Sequence, residues 1–559
     1  MRKLLTLLLC LPLIAMAFAN AAFAEEDEVV TIQYYGQSNN RQSTEGFMND
    51  YLEEAIGVRV EIIQSTNEKT QALLASGNLP DVGNYLYNGS LDPAIRGGLL
   101  VNLAEHLDQL PNVTQNVPYT IPFSQEYYGD GEGGFYALSV SIGDANPSPS
   151  GTIYIQWDVY EEIGRPEIQS FDDLIDVMVQ MQAARPETPD GQKTYGLVAF
   201  SEWDTQQIYA SIFYRAALGY DAHAGGSFMD YCYADQKLYP MLEKGSPYYE
   251  ALKFLFKCNQ AGVLDPDSIT QTRSSANAKV QSGAAMVAGY GMSANLYNTG
   301  DNLNADAPKG YMPLIADFYH PLCNFQYEAG QSSVVISVSS ETDKLDACLR
   351  FINLIYDYDA CLTLYSGPQG EMWDVVDGEF VFLDKWNEMQ NVGEITLESG
   401  EVLKNGAFWC AWGLNGANPH PDYAGIRLSI GNSDAVQEAS QASKLRDMWT
   451  EATGYTSEKD AYEKTGMVTR ATGFSRYMPA MDDDTRLIQT AIGEIVAAES
   501  WKMIVAADEA EFDALFENMC QQAEELGIDI IYEWGEEAVA LAQSRAETYH
   551  ASIYEMLGE

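Results

Sequence analysis

VVTIQYYG (Val29–Gly36), FMNDYLEEAIG (Phe47–Gly57), VRVEII (Val58–Ile63), NEKTQALLAS (Asn67–Ser76) and DVGNYL (Asp81–Leu86) follow one another near the start of the chain. The first, third and fifth are apolar runs rich in β-branched and aromatic residues, bounded by turn formers, and read as strands. The second places Phe47, Met48, Tyr51, Leu52, Ala55 and Ile56 on one helical face and is stopped by Gly57; the fourth reads as another helix. Strand–helix–strand–helix–strand with short links predicts a parallel sheet covered by helices on both faces. Ligands of such sheets lie beyond the carboxyl ends of the strands. That rule points at Tyr35 to Asn40 and at Asn84 to Asn88.

At 559 residues the chain exceeds one ordinary domain and calls for about three, or two large lobes. Residues 1–24 have Arg2 and Lys3, an apolar stretch and Ala22-Phe23-Ala24, the pattern of a cleaved secretory signal, so the mature chain is expected to begin at Glu25. Cys10 lies inside the apolar stretch behind Leu7-Leu8-Leu9, a poor lipid-attachment site. No later apolar run is long enough to span a bilayer. An exported protein, periplasmic or extracellular with cell-surface association left open, is the expectation. Beyond the signal stand Cys232, Cys258, Cys323, Cys348, Cys361, Cys410 and Cys520, an odd number with no CxxC, which indicates neither a zinc site nor a complete disulfide framework. The formal charge of −50 comes with no basic stripe, so nucleic acid is excluded as a partner. An acid-rich surface keeps an exported protein soluble; selection of a cationic ligand is the sharper alternative.

A second informative stretch is DKLDACLRFINLIYDYDACLTLYSGPQGEMWD (Asp343–Asp374). Leu345, Cys348, Leu349, Ile352 and Ile355 recur at helical spacing, Thr342 reads as an N-cap, and two successive helices close at Gly367 before a turn carrying Trp373. This stretch resembles a region of the extracellular solute-binding proteins of carbohydrate-type ABC importers, in particular their long, lipoprotein-like Firmicutes group. The resemblance continues through SGNLPDVGNYL (Ser76–Leu86), GLLVNLAEHLDQL (Gly98–Leu110), YIQWDVYEEIG (Tyr154–Gly164), TYGLV (Thr194–Val198) and GVLDPDSITQTRSSANAKVQSGAAMVAGYG (Gly262–Gly291). The order of these pieces across most of the mature chain carries it. Many relatives have an Asp-rich, EF-hand-like loop before the TYG strand; here Arg185-Pro186-Glu187-Thr188-Pro189-Asp190-Gly191 stands there, poor in the hard oxygens calcium needs.

The resemblance implies an α/β, two-lobed type-II periplasmic binding protein fold with the ligand cleft between the lobes. The expected division is 25–145 for the first part of lobe 1 and 146–325 for the first part of lobe 2. Residues 326–400 return to lobe 1 and the hinge, and 401–559 form the C-terminal part of lobe 2. Crossings are expected near Ser139–Thr152 and Cys323–Ser333, and helices over Glu509–Leu526 and Glu537–Tyr549 beside the second lobe. Ser170–Met181 reads as a helix with Ser170 and Asp173 as its capping box.

Oligosaccharides present C–H faces that aromatic rings cover and hydroxyl edges that amides, acids and backbone groups satisfy. In segments that the resemblance puts at the cleft, the candidates are Tyr35, Asn39, Asn84, Tyr85 and Tyr87 in the first lobe. Trp203, Asp204 and Tyr290 follow strands of the second, and Trp373, Trp409 and Trp412 complete the set. Ordinary packing is the competing reading for each.

Gly129-Asp130-Gly131-Glu132-Gly133-Gly134 matches GxGxxG, yet no strand leads into it and its acids would repel a phosphate; it is a turn. There is no P-loop, HExxH or GxSxG, and the five histidines show no metal spacing. The reading is therefore an importer's binding subunit, a monomer without cofactor or metal, that captures an oligosaccharide by hinge closure and delivers it to ABC permease subunits. A same-fold binder of a peptide or polyamine, and more remotely a secreted glycan-active enzyme, are the alternatives.

Overall fold

The computed structural model describes residues 29–36, 46–85, 90–144, 149–289, 292–324, 327–330, 335–376, 378–392, 394–404, 413–433, 436–437 and 442–557. In chain order the strands are β1 (Val30–Gly36), β2 (Val58–Gln64), β3 (Val82–Tyr85), β4 (Leu138–Ser139), β5 (Gly143–Asp144), β6 (Tyr154–Gln156) and β7 (Tyr195–Leu197). Then come β8 (Tyr220–Asp221), β9 (Met229–Cys232), β10 (Lys237–Pro240), β11 (Ala285–Ala288), β12 (Tyr311–Pro313), β13 (Leu322–Asn324), β14 (Tyr327–Glu328) and β15 (Val335–Val338). Two hairpins, β16 (Trp373–Val376) with β17 (Glu379–Phe382) and β18 (Glu394–Thr396) with β19 (Val402–Lys404), precede β20 (Thr469–Ala471).

The opening alternation folds as the pattern demands. β1 runs parallel to β2 and β3, and the helices Phe47–Ile56 and Asn67–Ser76 end where Gly57 and Gly77 adopt positive φ, a conformation glycine takes without Cβ strain. The sheet order is β2-β1-β3-β15-β4, with β15 antiparallel to both neighbours. Ile32, Tyr34, Val58, Val60, Val82, Leu138 and Ile336 bury its faces in a first hydrophobic core. The Phe47 helix has no local side-chain cap; instead Glu401, at the β18–β19 hairpin, accepts a hydrogen bond from Phe47 N at 2.7 Å and puts its charge at the positive end of the helix.

A second sheet, β12-β6-β11-β7, has its own core around Ile155, Met178, Leu252, Leu255, Met286, Val287 and Trp449. The helix Phe171–Ala184 supplies Leu174, Val177, Met178 and Met181, and Ser170 Oγ accepts from Asp173 N at 3.1 Å as its cap. Two sheets with two cores make two α/β lobes.

Several segments pass between them, and three of these lie together. One leaves β4 and enters β6; one leaves β12 and enters β15; the third contains β20. They hydrogen-bond side by side: β5 pairs with β14, Pro149 bridges to Cys323, and β13 pairs with β20. The result is a narrow ribbon between the lobes.

Three expectations change. Thr342 does not take the N-cap position of the Leu345–Leu354 helix, which falls at Lys344: the Thr342 hydroxyl donates to Asp81 Oδ1 at 2.7 Å and accepts from Lys344 N at 3.1 Å, holding the turn before the helix instead. Leu403, Leu414, Leu428 and Ile430 belong to the first core, so the segment after residue 400 continues lobe 1, and the second core is regained at Leu445. The helix expected over Glu537–Tyr549 runs from Ile528 to Leu557, about 45 Å at 1.5 Å per residue. Ile528 and Ile531 lie in the second core, whereas Ala538, Val539, Ala542, Ala546, Tyr549 and Ile553 lie in the first. At its crossing point Gly535 leaves room for no side chain: a Cβ there would stand 2.4 Å from Ser227 Cβ and 2.6 Å from Met229 Cε. Its far end is fastened by Arg545 Nη2 to Glu126 Oε1 at 2.6 Å and by Tyr549 O–H to Glu126 Oε2 at 2.6 Å.

Candidate functional site

β7 and β11 are parallel neighbours, so their carboxyl ends open at the same edge of the second sheet. The chain leaving β7 forms the loop 198–209, and beside it lies the helix Arg273–Gln281. Ala276 and Val280 bury the inner face of that helix, and Thr272 Oγ1 caps it by accepting from Ser275 N. Helical spacing then sets Arg273, Asn277 and Gln281 in one row on another face. Between loop and helix lies a depression of about 580 Å³ lined by Glu202, Trp203, Arg273, Asn277, Gln281 and Leu296.

Trp203 is 45% exposed and held without being covered. Phe200 and Tyr209 meet its ring edge-on at 5.3 and 5.2 Å, and the Arg273 guanidinium lies 4.9 Å from the ring centroid. Glu202 accepts from Arg273 N at 3.0 Å, which ties the loop to the helix. An oriented indole beside amides and one guanidinium can stack on an apolar face and donate to hydroxyls.

The inward residues of the loop explain its stability. Asp204 Oδ1 accepts from Tyr209 N at 2.7 Å and Oδ2 from Trp501 Nε1 at 2.6 Å; burial pushes its carboxyl up to about 6. Gln206 Oε1 meets His223 Nε2 at 2.7 Å, and Gln207 accepts from Arg215. Arg215 and Asp230 are both fully buried and paired at 2.5 Å. His223 Nδ1 accepts from Phe228 N at 3.0 Å, so the ring is neutral with its proton on Nε2. Burial first, and Arg215 second, lower its pKa from 6.5 to about 3.

That ring has a consequence for stability. Between those two values the unfolded chain binds a proton that the folded chain refuses, so stability is full above 6.5 and lost as pH falls through the window. The expected slope is up to about 1.4 kcal/mol per pH unit for this group. Chemical denaturation at pH 7, 6 and 5 tests it: a His223→Asn chain, suited to the positive φ of 55° there, should show a shallower loss than the parent. Equal slopes would refute the assignment.

The other sequence candidates fall out as follows. Tyr35 is buried at the end of β1, its hydroxyl 2.7 Å from Thr70 Oγ1 and 3.2 Å from Thr66 O. Asn84 accepts from the Tyr34 hydroxyl and donates to Val335 O at 3.1 Å, cross-linking β1, β3 and β15. Tyr85 pairs with Val335 in the sheet register. Trp373 is 3% exposed, stacked on Phe380 with its Nε1 donating to Gly367 O; the structure uses it as core, since the β16–β17 hairpin closes over it. Asn39, Tyr87, Tyr290, Trp409 and Trp412 lie outside the described residues. Of the described members of the set, Trp203 lines the depression, while Asp204 turns inward to Tyr209 and Trp501. Sequence reasoning passed over Arg273, Asn277 and Gln281, although the i, i+4, i+8 row beside Ala276 and Val280 was readable in Gly262–Gly291. In the loop Arg185–Gly191, Arg185 pairs with Asp158 at 2.5 Å and Glu162 at 3.0 Å.

No family model and no curated protein sequence matches the chain. Solved structures do resemble it. An HMO-binding, ABC-transporter-associated solute-binding protein from Bifidobacterium longum infantis superposes with a TM-score of 0.58 at 16% identity, covering 92% of this chain and 99% of that one. An extracellular solute-binding protein from B. longum subsp. infantis gives 0.61 at 18% identity over 94% and 99%. The S. pneumoniae ABC-transporter substrate-binding protein FusA in complex with kestose gives 0.59 at 14% identity over 93% and 100%. These are binding proteins, and the match runs through both lobes. The chain has the two-lobed α/β fold of the ABC-transporter solute-binding proteins.

Proposed function

We propose that this protein is the extracytoplasmic solute-binding subunit of an ABC importer, that it captures an oligosaccharide between its lobes, and that it hands the ligand unchanged to a membrane permease. The observation that carries the reading is Trp203: a large ring left 45% exposed, fixed edge-on by two aromatic neighbours, beside a row of amide and guanidinium donors. A lone exposed tryptophan needs no explanation in itself; what marks this one is its fixed orientation at a depression, beside amide and guanidinium donors. A sugar ring covers it with C–H groups while Arg273 and Gln281 reach its hydroxyls. The fold supports the same reading, since two lobes joined by a ribbon hold a ligand by contacting it from both sides. Ligand then favours the closed arrangement by its differential affinity for that state. No helix of the described residues is long and apolar enough to cross a membrane, which agrees with export behind the signal sequence. Glu202 and Arg273 line the depression together, so it offers a polyamine no excess of negative charge.

Isothermal titration of the chain from Glu25 against neutral oligosaccharides, with the ligand recovered and checked for cleavage, tests the proposal. A Trp203→Ala chain should keep its thermal stability and bind at least tenfold more weakly, about 1.4 kcal/mol. Unchanged affinity would remove Trp203 from the site. Cleaved ligand would make the protein an enzyme.

A further inference from the structure

The geometry points to Asp204 as a positioning residue that sets the Trp203 platform by tying the 198–209 loop to Trp501 of the helix Asp483–Ile504. The inference rests on the reading of Trp203 as the ligand platform, and it reassigns Asp204 from ligand contact to clamp. Each carboxylate oxygen is already engaged, Oδ1 by Tyr209 N and Oδ2 by Trp501 Nε1, while Asp204 N donates to Ser201 O at 3.0 Å. The clamp therefore closes the loop on both sides of Trp203. Tyr209, whose N–H it holds, is also the ring that meets the indole edge-on at 5.2 Å. Moving Asp204 moves the indole and its neighbour together.

The second half of the clamp lies 297 residues downstream. The helix bearing Trp501 meets the same loop at two points about two turns apart, Trp501 and Gly493, and the turn at Gly226 one turn further on. Gly493 approaches so closely that a Cβ would stand 3.0 Å from Gln206 Cα and 3.1 Å from Thr205 O, and Gln489 Nε2 donates to Gly226 O at 2.6 Å. Trp501 itself is buried. That helix packs on Glu509–Leu526 and on the C-terminal helix that reaches the first lobe. Through Trp501 the ligand platform is joined to the elements that connect the lobes.

The clamp is sensitive to protonation. Two N–H donors suit a carboxylate; a carboxyl group would turn one O–H towards a donor. No ion pair joins Asp204 to a cation among the described residues. From the Pro247–Gln260 helix, Tyr248 donates or accepts at Ser500 Oγ (2.8 Å) and accepts from Ile208 N. Arg215 lies 4.9 Å from the Tyr248 ring but is committed to Asp230, and on the helix of Trp501 itself Glu499 and Lys502 pair at 2.7 Å. Burial raises the Asp204 carboxyl to about 6, so the clamp loosens as pH falls through that value.

The test needs no ligand, so it can fail while the oligosaccharide reading stands, and the reverse. The protein is labelled with 5-fluorotryptophan, the resonances of Trp203 and Trp501 are assigned from Trp203→Phe and Trp501→Phe chains, and fluorine spectra are followed from pH 7.5 to 4.5. Both resonances should shift together with a midpoint near 6, and neither should titrate there in Asp204→Asn. The parent's own titration decides the matter if that variant fails to fold. A Trp501 resonance that titrates while Trp203 stays put would overturn the proposal, as would co-titration that persists in Asp204→Asn.

Discussion

A chain that stops at Gly527 is expected not to reach the native state. The missing helix supplies Ile528, Ile531, Val539, Tyr549 and Ile553, all buried, together with Ala538, Ala542 and Ala546. Burying each of the five large side chains is worth about 1.5–3 kcal/mol, on the order of 8–15 kcal/mol together. That is as large as the whole net stability of a typical domain, about 5–15 kcal/mol. The truncation would also expose one face of each core at once, since Ile528, Ile531 and Tyr532 at the start of the helix serve one lobe and the apolar residues from Trp534 onward serve the other. Near-ultraviolet circular dichroism and thermal unfolding check this. Loss of the cooperative transition and aggregation are expected; a transition at the parent's midpoint would show that the helix is an accessory.

Removing Asp230 is the second large effect. Asp230→Ala strands the Arg215 charge in a site with no solvent access, and breaking a buried pair in this way costs about 3–5 kcal/mol. Ser211 O, Ser211 Oγ and Gln207 remain near the guanidinium, but none of them carries a negative charge. A buried pair is a weak source of stability in itself, because desolvation offsets its attraction. A double replacement, Arg215→Met with Asp230→Leu, should therefore recover most of the loss. It should not recover ligand affinity, because Gln207 loses its donor and His223 N its acceptor, and both underpin the Trp203 loop. Urea denaturation and titration measured on the same three chains separate the two effects. Full affinity in a stable double variant would show that the network serves folding alone.

The two helices of the opening alternation match the structure to the residue, and their C-termini have a local reason: each is ended by a glycine that takes positive φ. Thr342 shows where that logic stops, because the acceptor that captured its hydroxyl is Asp81, 261 positions earlier in the chain. The same division runs through the candidate site. Trp203 was readable because polar residues flank it and little nearby in sequence could bury it. Trp373 was not, since its burial depends on Phe380 folding back across a hairpin, and Tyr35 was not, since Thr66 and Thr70 satisfy its hydroxyl from the next helix. Asp204 was read as a candidate contact from its place after the strand, whereas its carboxylate oxygens turn inward to Tyr209 N and Trp501 Nε1. Its partner Trp501 lies in a helix whose packing no local pattern announces.

The ribbon between the lobes limits how they can move. Separate linkers would let one lobe twist, slide and swing with respect to the other. Here the three crossings are laterally hydrogen-bonded through β5 with β14, Pro149 with Cys323, and β13 with β20, so bending one bends all. A narrow bonded strip flexes readily across its strands and resists shear within its plane, which leaves essentially one soft coordinate. The long C-terminal helix adds a stiff member beside that strip, and Gly535, pressed on Ser227 and Met229, is its natural fulcrum. We expect any motion of the lobes to follow that one direction, and small-angle scattering collected with and without an oligosaccharide checks it: a change of radius without a change in the shape of each lobe is the expected result.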